Sequence, residues 1–167
     1  DWVYPNEIIE RRGNTESGSS VDIVSKDGRV LGVGIASEGK VAVRRFRDDS
    51  GAIDADFIRQ RVNRARSARR LSDSNTAWRW VHGENDRLPG FRIDVWGTHV
   101  TISVDHSSLL GLLNWVVDAV SAFDGVDTVW LSKRPEHDDG RQTQAVPECL
   151  LGADEREEVV VREHGLQ

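Results

Sequence analysis

The chain has 167 residues, 38% of them hydrophobic and 30% charged, and a net charge of −6. This suits one domain of ordinary size or two small ones; no apolar run approaches the roughly 18 residues that a membrane span needs, and no signal peptide is visible in these residues. The single cysteine, Cys149, excludes a disulfide framework and a cysteine-based zinc site, and predicts a reduced, cytoplasmic protein. With no methionine and the opening Asp1-Trp2-Val3, the chain reads as a piece of a larger protein.

Charge is unevenly spread. From Lys40 to Arg70 ten basic residues stand against four acids, Asp48, Asp49, Asp54 and Asp56, a local balance of +6 that leaves −12 elsewhere. Pro135 to Gln167 holds nine acids against three arginines. Such polarity suits one face for an anionic partner, although a solvated helix face would also produce it.

In chain order, Gly13 to Ser20 reads as a polar loop. Val21 to Val24 and Arg29 to Ala36 predict strands joined by the tight turn Lys26-Asp27-Gly28, where Asp-Gly supplies positive φ angles. Lys40 to Phe46 alternates as a third strand. The Gly32-x-Gly34 pair is followed by a β-run, whereas a phosphate-cradling loop must open a helix. These glycines therefore predict a bulge or a close backbone approach.

Asp54 to Leu71 predicts an amphipathic helix with Asp54 as N-cap. Ile58, Val62 and Ala65, extended by Phe57, Ala68 and Leu71, form its apolar arc, with Arg59, Arg66 and Arg70 on the other side. Ser72 to Thr76 is a polar hinge. Beyond it the patterns predict strands at Trp78 to His82, Phe91 to Val95 and His99 to Val104. A helix capped by Ser107 or Ser108 runs to about Phe123, followed by a strand at Asp127 to Leu131. An irregular loop, Pro135 to Pro147, precedes a last strand, Glu157 to Arg162. The whole is an α+β chain whose second half has β-β-β-α-β-β order.

Trp78 to Trp96 is the densest stretch, with three tryptophans, a histidine and several acids. His82, Glu84 and Asp86 have the His-x-Glu opening of a zinc deaminase signature, but Pro147-Glu148-Cys149 lacks the second cysteine that would complete it. A carboxylate metal site stays open as an alternative. The plainer reading has Glu84 and Asp86 shaping the turn and pairing with Arg79, Arg87 or Arg92. Asp105-His106-Ser107 are sequence neighbours, which do not converge as a triad does. Cys149 has Glu148 beside it, which disfavours a thiolate.

Several segments together resemble a bacterial family of SAM-dependent ribosomal RNA cytosine-C5 methyltransferases. They are W-V-Y-P-N-E-I at 2–8, L-G-V-G-I-A-S at 31–37, V-A-V-R-R-F at 41–46 and I-D-A-D-F-I-R-Q-R-V-N-R-A at 53–65. R-W-V-H-G-E-N-D-R-L-P-G-F-R-I-D-V-W-G at 79–97 is the most specific, and R-E-H-G-L at 162–166 the last. The resemblance implies a small PUA-like RNA-binding β-barrel over 1–52, lacking the first strand expected ahead of Trp2. A connecting helix and hinge would follow over 53–74, and a mixed α/β central domain over 75–167. A C-terminal domain that binds SAM and holds the catalytic cysteine would lie outside the chain. No cofactor or metal site and no catalytic residue is then expected in these residues, SAM being the parent's cofactor. Two features depart from the family: the acidic segment Pro135 to Cys149, and Glu38-Gly39-Lys40 in place of a serine.

The reading that follows is an RNA-binding portion of an rRNA methyltransferase, with Arg44, Arg45, Arg59, Arg66 and Arg70 as phosphate contacts. Its expected partners are ribosomal RNA and the catalytic domain, with no membrane. The alternative is a scaffold or homodimerisation module that does not touch RNA.

Overall fold

Two glycines shape the first sheet. The structure, a computed structural model, describes residues 2–71, 75–132, 137–138, 141–142, 146–154 and 158–162. Ser72 to Ser74 of the expected hinge, and most of the expected loop Pro135 to Pro147, lie outside the described residues. Strands β1 (Trp2–Val3), β2 (Ser20–Val24), β3 (Val30–Ala36) and β4 (Val43–Arg47) pair antiparallel in the order β1-β4-β3-β2. At Gly32, with φ 145°, a Cβ would lie 2.0 Å from the Arg47 carbonyl oxygen, and at Gly34 one would lie 2.5 Å from that of Arg44. The Gly-x-Gly pair therefore lets β4 cross close to β3, and the register shifts between Val33 and Gly34. Among the described residues the sheet is open, with β1 and β2 at its edges.

Helix α1 (Ala55–Ala68) begins where Asp54 accepts a hydrogen bond from the Phe57 backbone N–H at 2.8 Å. It buries Phe57, Ile58, Val62 and Ala65. Each fully buried Val, Ile or Phe side chain contributes about 1.5–3 kcal/mol. The helix ends earlier than Leu71. Arg69 turns extended at ψ 124°, and its Nε donates to the Arg79 carbonyl at 2.8 Å, so a tertiary bond replaces the last helical turn. Arg70 thereby leaves the helical stripe that periodicity gave it.

The second sheet contains β5 (Ala77–His82), β6 (Phe91–Trp96), β7 (His99–Val104), β8 (Thr128–Ser132) and, after a two-residue pair β9 (His137–Asp138) and β10 (Arg141–Gln142), β11 (Glu148–Leu151). Its order is β11-β8-β7-β6-β5. Among the described residues only β7 and β8 run parallel, joined across the sheet by a 3-10 turn (Ser107–Leu112) and helix α2 (Leu113–Ser121). Strict alternation sets the register of β6, where Phe91, Ile93 and Val95 are buried and Arg92 and Asp94 are not.

Two expectations are corrected here. The cap ahead of α2 is His106, whose Nδ1 accepts from the Ser108 N–H at 3.2 Å, and not Ser107 or Ser108. Among the described residues the last strand is Glu148–Leu151, antiparallel to β8; of the expected strand Glu157 to Arg162, residues 158–162 are described and form no strand. Of that segment, Arg162 lies beside β5, exchanging hydrogen bonds of 2.9 and 2.8 Å with Thr76. Its β-branched residues suit an edge, but Arg162 pairs there with a residue that precedes β5.

Helix α1 packs on α2 and β5. One hydrophobic cluster runs from Val33, Ile35 and Phe46 of the first sheet, through Ile58 and Val62 of α1, to Trp80, Phe91, Ile102 and Val129 of the second. Trp80 is 2% exposed, donates its indole N–H to the Val62 carbonyl at 3.1 Å and meets Phe123 edge-on at 4.6 Å. Among the described residues no helix is long and apolar enough to cross a membrane.

Candidate nucleic-acid interface

Side-chain bonds account for the acids of the 82–87 stretch. Asp86 accepts from the His82 backbone N–H at 2.6 Å and from the Arg69 guanidinium, and its own side chain is 9% exposed. Glu84 accepts from the indole N–H of Trp2 at 2.8 Å, reaching across to the first sheet. His82 Nδ1 meets Asn85 at 3.2 Å. Among the described residues no three His, Cys, Asp or Glu side chains come together as a metal site. The acids do shape the turn, but with partners other than those sequence suggested. Arg79 pairs with Asp94 at 2.7 Å, Arg87 with Asp48 at 2.8 Å and Arg92 with Asp105 at 3.3 Å.

The five arginines expected to contact phosphate scatter. Arg44 is 9% exposed and donates to the Ser37 hydroxyl at 2.8 Å. Burial pulls its guanidinium below its usual range, against the attraction of Asp105 and Glu84. It lies at the joint between the sheets, where β4 turns this side chain inward. Arg45 is half-buried, with its guanidinium 3.2 Å from the Leu31 carbonyl and 3.4 Å from Asp48. Arg66 is half-buried over the Trp78 ring, 4.8 Å from its centroid. Arg59 is exposed and pairs with Asp56 one turn back at 2.8 Å. Arg70 is exposed beyond the end of α1.

A different group of cations does come together. The Phe57 ring carries Arg47 at 4.7 Å and Arg61 at 4.8 Å from its centroid. Arg61 is held below its usual range first by burial, then by repulsion from Arg87, Arg64 and Arg47, with Asp48 opposing. Four guanidiniums from β4, α1 and the residue after the 83–86 turn thus share one neighbourhood. Arg47 is neutralised by Asp49, at distances of 2.5 and 3.0 Å. Arg64 and Arg87 are exposed. The i, i+4 spacing of Phe57 and Arg61 was a legible signal for part of this group. Nothing local points to Arg87, which meets Asp48 from 39 residues away.

An exposed aromatic pair lies on edge strand β1 and its continuation, tied to the 83–86 turn through Glu84. Trp2 and Tyr4 are 46% and 43% exposed and meet edge-to-face at 6.4 Å.

Comparison with known proteins places these features in context. Residues 1–48 match the family model of a PUA-like domain. The chain is 39% identical over 99 residues to ribosomal RNA large subunit methyltransferase I of Shewanella denitrificans, covering 56% of this chain and 25% of that protein. It is 27% identical over 180 residues to the same-named protein of Escherichia coli O9:H4, covering 99% of this chain and 43% of that one. A SAM-dependent methyltransferase structure from Streptococcus mutans superposes with a TM-score of 0.78 at 16% identity, covering 98% of this chain and 42% of that one. A methyltransferase solved with SAH superposes with a TM-score of 0.76 at 18% identity, covering 89% and 38%. The chain spans between a quarter and about two-fifths of the length of these proteins. The sequence relatives named here are ribosomal RNA large subunit methyltransferases, the match to a PUA-like domain covers residues 1–48, and the chain shares the fold of part of both solved structures.

Proposed function

We propose that this chain is the RNA-binding portion of a SAM-dependent rRNA cytosine-C5 methyltransferase. It positions ribosomal RNA for a catalytic domain carried by the longer protein. Residues 1–52 form the PUA-like unit, 53–74 the connecting helix and hinge, and 75–167 the central domain. The observation that carries the reading is the crowding of Arg61, Arg64, Arg87 and Arg47, whose mutual repulsion a phosphate would relieve. Arg59 and Arg70 extend the cationic surface along and beyond α1. The kinship with rRNA methyltransferases supports RNA as the anion.

Filter binding of this chain to RNA at two salt concentrations tests it. Affinity should fall steeply with salt, because each neutralised phosphate releases counterions. Reversal of Arg61, Arg64 and Arg87 to Glu should weaken binding at least about tenfold and flatten the salt slope. RNA binding with no salt dependence, or none at all, would overturn the reading in favour of a scaffold or dimerisation module.

A further inference from the structure

A chain of hydrogen bonds runs from Trp2, through Glu84 and the 83–86 turn, to Arg87 of the cationic group. The indole N–H of Trp2 is bonded to Glu84 at 2.8 Å, Glu84 is the second residue of the 83–86 turn, and the Arg87 backbone N–H closes that turn on the Glu84 carbonyl at 3.0 Å. Arg87 has φ 55°, a left-handed conformation uncommon for a residue with a side chain. Its guanidinium then bonds Asp48 at 2.8 Å, beside Arg61. At about 2 Å of rise per residue, the turn separates Glu84 from Arg87 by about 6 Å. Trp2 and Tyr4 remain nearly half exposed although each has a neighbour ring. Exposed rings beside cations are the combination that holds an unpaired nucleotide: the ring stacks on the base, and the cations take the phosphates that follow.

We propose that Trp2 and Tyr4 are a stacking platform for an unpaired base, and that the strand bearing it crosses the 83–86 turn to the phosphate-binding arginines Arg87, Arg61 and Arg64. The inference rests on the RNA-binding reading above and narrows its substrate to RNA with an unpaired segment. The Trp2–Glu84 bond pins one edge of the indole, so the ring is oriented before RNA arrives. Because stacking is not ionic, the platform contributes affinity without contributing to the salt slope.

The test is fluorescence anisotropy of labelled RNA with the 167-residue chain at two salt concentrations. The probes are a single strand of about twelve nucleotides, a size within the range of single-strand sites, and a duplex of equal length. The paired Trp2→Ala and Tyr4→Ala substitutions should weaken single-strand binding about tenfold at both salts, with slope and duplex binding unchanged. Trp2→Phe, which keeps a ring and removes the bond to Glu84, should hold single-strand affinity within about threefold. A circular dichroism melt confirms that each variant is folded.

Equal loss on duplex and single strand overturns the platform, as does a Phe variant as weak as the Ala variant. Unchanged single-strand binding in the alanine variant, with loss on reversing Arg61, Arg64 and Arg87, overturns the platform while RNA binding stands; the aromatic pair would then face a protein. Absence of salt-dependent binding by the unsubstituted chain overturns both.

Discussion

The turn around Glu84 and the face of α1 around Arg61 are both dense in charge, and they treat that charge in opposite ways. In the turn, Asp86 is held by Arg69 and a backbone N–H, and Glu84 by an indole N–H. On α1, Arg61 is repelled by Arg87, Arg64 and Arg47 and attracted by Asp48, while Asp49 neutralises Arg47. A region that satisfies its own charge holds the fold together. A region that keeps like charges close forgoes some stability and gains attraction for an anion.

Disturbing the paired region should have the largest effect on the fold. Asp86→Ala leaves the Arg69 guanidinium and the His82 N–H without their acceptor, and should lower stability by about 2–3 kcal/mol. A urea melt should show the lower midpoint; a shift under about 0.5 kcal/mol would contradict the assignment. Arg66→Ala sits between the two regions. It removes the cation over Trp78 and should cost about 0.5–1 kcal/mol in the same melt.

Arg64→Ala sharpens the comparison from the other side. Arg64 is exposed, so stability should move by less than about 0.5 kcal/mol. The slope of log affinity against log salt should nevertheless fall by about 0.7–0.9, the share of one phosphate that the variant no longer neutralises. A drop in stability with an unchanged slope would move Arg64 into the structural class.

The smallest effect is expected from acid. Hydrogen bonds from Arg47, and then from the Gly51 backbone, hold the exposed Asp49 carboxyl at about 2, below its ordinary value of 3.8. A depressed carboxylate stabilises the fold fully above its ordinary value, and that contribution disappears as pH falls through about 2. Carbon-13 titration of the Asp49 carboxyl should give a midpoint below 3.8. Arg47→Met should return it toward the ordinary range.

Much of this fold is readable from residue patterns, because the patterns are local. The Asp54 cap, the turn at Gly28, where Gly28 and not Asp27 takes the positive φ, the alternation of β6 and β7 and the buried residues of α1 each follow from residues within one or two turns. What escapes the sequence depends on distant partners. Arg69 ends α1 for a carbonyl ten residues away on β5. Val159 to Val161 have strand-forming side chains, yet β8 takes Glu148–Leu151 as its partner, and the sequence of either segment does not settle that choice. The site divides in the same way. Helical periodicity located a cationic α1 but selected Arg66, which Trp78 occupies, and the run V-A-V-R-R-F gave no sign that Arg44 would turn inward. Arg87 joins the cations only because the 83–86 turn brings it to Asp48.

The continuous core has a consequence for measurement at molecular scale. Apolar side chains run in one cluster from β3 through α1 to β8, so among the described residues the first sheet and the second share one packed interior. The two sheets therefore act as a single ruler. A nucleotide bound as proposed at one graduation would have a distance and angle to the other edge set by the give of a packed interior.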